Sequence, residues 1–273
     1  MMSIRSEEYK LIAKLGNLKT VVHLLKAINF KSVATCSACE NGIKITVEDA
    51  KCMQATVYLP ISVFQEFVLN EDVIFQINLN ALVDCLCMYW SSINTQGSVV
   101  ALQMSYKGNG NPVVLLIEEE GIITECCLQT TEPDELLNFN LEPENIVNKI
   151  YLQTALLKDV LAELDPSSDS IELVLSPNAP YFKITTNGLA GDCTIEVPHD
   201  SELVDSFECK ATTSSNYKLQ HIKPVVKALA CSHQVSIKTD DRGLLCFQYM
   251  VKTEEGQTCF IEYFMSPVVE LSD

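Results

Sequence analysis

Three places in this sequence offer side chains for a metal, a reactive thiol pair or a phosphate: Asp240-Asp241, the CxxC of Cys36 and Cys39, and residues 107–112 (KGNGNP). None keeps that promise once its spacing is considered. The acid pair would suit a metal-dependent nuclease, yet it opens DDRG between two runs of strand character, where Asp and Gly serve a turn. Cysteines three apart in a strand point to opposite faces, and no second pair is placed to complete a zinc site. KGNGNP reads as a hairpin, because no Walker pattern surrounds it. The four histidines are scattered, and neither HExxH nor GxSxG occurs. The sequence assembles no catalytic centre and implies no cofactor and no metal.

Lysines show the more telling pattern. The chain of 273 residues holds 36 Asp and Glu against 19 Lys and Arg, a formal charge of −17. Yet no acid occurs from residue 17 to 39, or from 209 to 239. Each stretch contains a helix-like segment. In residues 18–28 (LKTVVHLLKAI), Leu18, Val21, Val22, Leu25 and Ile28 form one apolar face and leave Lys19, His23 and Lys26 outward. In residues 221–230, Ile222, Val226 and Leu229 take the apolar face, with Gln220, Lys223 and Lys227 outward. One lysine-bearing helix is only a solvated face. Two such stretches in so acidic a chain suggest charge sorted toward a phosphate backbone.

The elements that position these lysines repeat along the chain. Residues 9–22 can be laid over residues 148–161 at an offset of 139, which sets Lys19 on Lys158 and IKIT (43–46) on FKIT (182–185). With one residue of adjustment, Leu79, Leu82 and Leu86 meet Leu219, Ile222 and Val226. Glu-Glu-Gly at 119–121 and at 254–256 each separates two strand-like runs, as a hairpin would. Each half reads as strand, helix, strands, helix, strands. Helices are expected at 18–28, 79–89, 153–164 and 221–230, the last starting as late as Lys223 because of Pro224. Strands are expected at 42–48, 99–106, 113–118, 122–128, 171–175, 181–186, 235–239, 244–251 and 257–264. Residues 129–144, with two prolines and many acids, read as a connector between domains 1–128 and 145–273. The fold class is α+β: two similar domains, each with two helices packed on antiparallel sheets. No apolar run is long enough to span a bilayer and MMSIRSEEYK is no signal region, so an intracellular protein with twelve reduced, buried cysteines is expected.

This repeat, closing on EYFMSP (262–267), resembles the PCNA-like DNA sliding clamps. NGIKITVEDAKCMQA (41–55), INLNALVDCL (77–86), SPNAPYF (176–182) and VSIKTDDRG (235–243) resemble the Rad-one subunit of the checkpoint clamp, the heterotrimeric nine-one-one complex. The likeness runs from Tyr9 to Pro267. It implies a ring whose helices line a central hole and whose strands form the outer wall. Lys19, Lys26, Lys158, Lys223 and Lys227, with Lys218 and His221, would then face double-stranded DNA and meet phosphates without reading sequence. The second helix departs from this, with Asp84 and no lysine. The resemblance also implies two other PCNA-like subunits and an ATP-driven clamp loader as partners, work in the DNA-damage checkpoint and repair, and the nucleus as location. Ring closure would use the strand edges of Ile122, Ile123, Thr124, Cys126 and Leu128, and of Cys193, Ile195 and Val197. Leu136, Leu137, Phe139, Phe264 and Pro267 match a client-peptide groove, where Glu48 interrupts the apolar surface; they serve equally to pin the connector. A metal-dependent 3'-5' DNA exonuclease and a protein-only scaffold stay open as other functions.

Overall fold

The computed structural model describes residues 8–95, 99–189 and 191–269, and every structural statement below concerns these. The chain divides into two units: one of residues 8–48, Thr56–Leu136 and Lys252–Phe260, the other of Asp49–Ala55, Leu137–Val251 and residues from Ile261 onward.

The first half runs β1 (Leu11–Leu15), α1 (Lys19–Ile28), β2 (Val33–Cys39), β3 (Gly42–Asp49), β4 (Met53–Pro60), β5 (Glu66–Leu69), β6 (Val73–Asn78), α2 (Leu79–Leu86), α3 (Trp90–Ile93), β7 (Val100–Tyr106), β8 (Val113–Glu119), β9 (Ile122–Leu128) and β10 (Thr130–Thr131). In the first unit, one antiparallel sheet has the order β5-β1-β7-β8-β9, and a second run has the order β10-β6-β2-β3-β4. The period of two is plain in β8, where Val113, Leu115 and Ile117 are buried and the residues between them are half-exposed. Glu120 and Gly121 turn β8 into β9 with φ of 49° and 84°, a left-handed pair that suits a two-residue hairpin. In α1, Leu18, Val21, Val22, Leu25 and Ile28 are all at most 4% exposed, as the helical spacing requires. Asn78 caps α2 by accepting from the Ala81 N–H at 3.0 Å.

The second half runs β11 (Ile146–Gln153), α4 (Thr154–Ala162), β12 (Ser170–Leu175), β13 (Phe182–Gly188), β14 (Gly191–Val197), β15 (Val204–Cys209), β16 (Thr213–Lys218), α5 (Leu219–Ile222), a 3-10 helix (Lys223–Ala230), β17 (Gln234–Asp240), β18 (Leu245–Lys252) and β19 (Thr258–Met265). In the second unit the sheet orders are β14-β13-β12-β16 and β19-β18-β17-β11-β15. The first half thus sets α1, α2 and the short α3 among antiparallel strands, the second sets α4 and the α5–3-10 segment likewise, and no described helix is long and apolar enough to cross a membrane.

Two expectations change here. The last helix is α-helical for one turn only and then winds as 3-10 from Lys223. Pro224 offers no N–H to the Gln220 carbonyl and its ring crowds that oxygen, so the chain tightens. With a period near three, the buried face is Ile222, Val225 and Ala228, while Val226 is 42% exposed. The second change concerns register. Residues 16–18 separate β1 from α1, whereas β11 passes directly into α4 at Thr154. Lys19 therefore stands in the first turn of its helix and Lys158 about a turn further along its own, so the two are not equivalent. All twelve cysteines are free, but only Cys36, Cys246 and Cys259 are buried; Cys127 is exposed and the others lie between.

Candidate nucleic-acid interface

On α1, the three polar residues share one side. Lys19 and Lys26 are half-buried at the two ends of the stripe, with His23 between them. Burial lowers the His23 pKa, and the charges of Lys26 and Lys19 lower it further, which places all three within electrostatic reach. His23 adds no positive charge at neutral pH. Sequence distance hid one acid: Lys19 Nζ lies 2.7 Å from Glu254 Oε1, and Asn17 Nδ2 donates to the other oxygen at 3.0 Å. The open stretch of residues 17–39 is thus met in space by a carboxylate from the β18–β19 turn.

The last helix of the second unit is different. Lys218, Lys223 and Lys227 are exposed, and no carboxylate pairs with Lys218 or Lys223 among the described residues. Four lysines elsewhere have carboxylate partners: Lys10 with Glu71, Lys14 with Glu66, Lys107 with Glu8 and Lys183 with Glu172. Lys158 is exposed on α4, and so are Asp159, next to it in the chain, and Glu163 at the helix C-cap. His221 is 3% exposed with Nε2 3.8 Å from Cys52 Sγ, a core residue that cannot meet DNA, contrary to its expected place. On α2, Asn80 and Asp84 are exposed and no base is present.

The residues that suggested other chemistry are placed as well. Asp240 is 1% exposed and its carboxylate is used by its own turn. Oδ1 accepts from the backbone N–H of Arg242 and Leu244 at 3.0 and 2.8 Å, and Oδ2 accepts from the Arg242 guanidinium at 3.2 and 3.1 Å. Cys36 faces inward from β2, where burial pushes its thiol up to about 12, while Cys39 is half-exposed on the other side of the strand. Among the described residues, no group of three or more His, Cys, Asp or Glu is arranged to hold a metal ion. KGNGNP is the β7–β8 turn, with Gly108 and Gly110 at φ of 112° and 79°.

Comparison with known proteins is decisive at this point. Residues 10–251 match the family described as repair protein Rad1/Rec1/Rad17. The chain belongs to that family. It is 46% identical to the mouse cell cycle checkpoint protein RAD1 over 268 residues, covering 98% of this chain and 95% of that protein. The human protein of the same name is 44% identical over the same coverage. A DNA polymerase sliding clamp of Pyrococcus furiosus is 22% identical over 232 residues, 85% of this chain and 87% of the clamp. More partially, the DNA repair exonuclease REC1 of Mycosarcoma maydis is 23% identical over 189 residues, 58% of this chain and 41% of that protein. The α+β fold of this Rad1-family chain is PCNA-like.

In this Rad1-family chain β9 and β14 each end a sheet, as β5 and β16 do at the opposite ends. β9 pairs only with β8, and β14 only with β13, so each presents a row of N–H and C=O groups to a further strand. On β9, Ile122 and Ile123 are each 63% exposed, whereas Thr124, Cys126 and Leu128 are half-buried. Thr124 Oγ1 is 2.6 Å from the Tyr89 hydroxyl, and Cys126 shares a hydrogen bond with Cys85 that, after burial, helps push the Cys85 thiol up to about 11. On β14, Cys193 and Ile195 are half-buried and Val197 is 4% exposed, so the Val197 side chain belongs to the core and not to an interface as expected. The outward set on these strands is Ile123, Glu125 and Cys127, and Asp192, Thr194 and Glu196; of these only Ile123 was among the expected edge residues.

Of the client-groove residues, the structure joins Phe139 to Phe264, with stacked rings 6.3 Å apart and Phe264 6% exposed. The Leu137 carbonyl accepts from Gln54 Nε2 at 3.0 Å, and the Leu137 side chain is 41% exposed. Pro267 and Leu136 are half-buried, as is Glu48 on β3. Phe139 and the Leu137 backbone of the Rad1-family chain are thus held by Phe264 and Gln54.

Proposed function

We propose that this chain is a non-catalytic subunit of a heterotrimeric PCNA-like ring that encircles double-stranded DNA and acts as a platform for DNA-damage checkpoint signalling and repair. Membership of the Rad1 family and likeness to a sliding clamp support the clamp. The observation that carries the DNA contact is the exposed set Lys218, Lys223 and Lys227, lying in an acid-free stretch of a protein with a charge of −17. Three lysines suffice for a trapped duplex. A ring need not bind tightly, because topology prevents escape and the lysines only keep the backbone centred, without reading bases. The acidic remainder discourages adherence to DNA from outside.

The open edges of β9 and β14 suit two neighbours of the same fold, each adding a strand. A closed ring needs an opener, so an ATP-driven clamp loader completes the partner set, and checkpoint work on chromosomal DNA places the complex in the nucleus. The exonuclease reading draws on the name of REC1. Against it stands the Asp240 carboxylate, already occupied by four donors.

The test is retention of the assembled ring on nicked circular plasmid after loading. The wild type stays on the circle and leaves once the plasmid is linearised, and Lys223→Glu/Lys227→Glu assembles normally but is lost faster. Equal retention on circular and linear DNA would refute encirclement. Degradation of duplex by the purified chain with magnesium or manganese, abolished by Asp240→Asn/Asp241→Asn, would establish the nuclease instead; lysine changes without effect would favour a protein-only scaffold.

A further inference from the structure

Glu254 is the acid that the sequence around α1 lacks. It sits in the turn between β18 and β19, and that turn is fixed: Thr253 and Gln257 exchange backbone and side-chain hydrogen bonds, and the Gly256 N–H reaches the Thr253 carbonyl at 3.0 Å. From there, Glu254 accepts from Lys19 Nζ at 2.7 Å and from Asn17 Nδ2 at 3.0 Å. Asn17 is itself aligned, since its Oδ1 accepts from the Lys19 N–H at 2.9 Å. The adjacent Glu255 is exposed and makes no such bond among the described residues. Two acids of the same charge thus differ only in what they hold.

We propose that Glu254 is a positioning residue for DNA, an internal stand-in for a phosphate that holds Lys19 when no backbone is near and releases it as a phosphate arrives. This rests on the reading that the α1 lysines face DNA. The chemistry favours exchange rather than a permanent bond. The Lys19 and Glu254 side chains are 35% and 54% exposed, and a surface ion pair of that kind is weak and screened by salt. A phosphate oxygen offers the ammonium the same charge-assisted hydrogen bond. While paired, Lys19 adds little attraction, which lowers the number of phosphates gripped at one time and eases sliding.

One-dimensional diffusion of the loaded, assembled ring on stretched linear DNA tests this. Glu254→Gln is expected to diffuse about two- to threefold more slowly than wild type at low salt, the size of one exposed ion pair, and to converge with it as salt rises. Glu255→Gln, with the same change in net charge, is expected to match wild type. Glu254→Asp, which keeps the charge but shortens the reach, should fall between. Diffusion of Glu254→Gln equal to wild type, or equal slowing by Glu255→Gln, overturns the proposal. Lys26→Glu separates the two ideas: faster diffusion keeps the reading that α1 faces DNA whatever Glu254 does, and unchanged diffusion removes that reading and the role of Glu254 with it.

Discussion

The first helix and the last helical segment both bring lysines to an acid-free stretch, yet they do so in opposite ways. α1 is a regular helix with six buried residues, its lysines half-buried and one of them bonded to Glu254. The last segment is a single α turn continued as 3-10, with Lys218 just before it and Lys223 and Lys227 on it exposed, and with Leu219, His221, Ile222, Val225 and Ala228 buried. A regular helix buries a broad face and draws its polar side chains against the surface beneath. A 3-10 helix buries only every third residue and turns the rest outward. The difference teaches that a charge count along the chain does not give charge available to a ligand. Packing and distant acids decide that.

That contrast can be broken most severely on DNA binding. Changing Lys218 and Lys223 together to Gln should weaken duplex binding of the assembled ring on the order of tenfold at low salt, and make the log–log salt slope shallower by about 1.8, or about 0.9 per lysine. Lys19→Gln should change the slope by well below about 0.9, since Glu254 already offsets that lysine. Equal changes per lysine would mean that the two segments are not different in the way described.

Stability tests the winding itself. Val225→Ala should destabilise by about 2 kcal/mol, and Val226→Ala by less than about 0.5 kcal/mol, read as shifts of the urea midpoint. The reverse order would restore the regular helix that the sequence suggests. The smallest effect concerns His23. Its folded pKa lies below the ordinary 6.5, so the unfolded chain takes up the proton first as pH falls, and stability is lost from about 6.5 downward. Thermal unfolding at pH 7.5 and 5.5 should show a smaller drop for His23→Gln than for wild type; an unchanged drop would take His23 out of the acid response.

Much of this was legible in the sequence. The apolar positions of α1 are all buried, β9 runs over the residues expected for it, and both Glu-Glu-Gly turns join strands, because local period and turn chemistry specify such elements. What escaped depends on contacts distant in sequence or on winding. Glu254 lies far from Lys19 along the chain. Val226 matched the repeat, but Pro224 rotated it outward. His221 looked like part of a basic stripe and is core, and Val197 lies on the inward parity of β14. The offset of 139 aligned the strands well and the first helices poorly, since residues 16–18 have no counterpart before Thr154.

Photocrosslinking from single positions in the loaded ring would show which lysines meet the duplex. A photoreactive side chain at position 223 should label the duplex strongly and one at position 26 more weakly. One at position 183, on β13 where Lys183 pairs with Glu172, should not label it. Labelling from position 183 as strong as from 223, or none from 223 on DNA that the ring demonstrably encircles, would contradict the account.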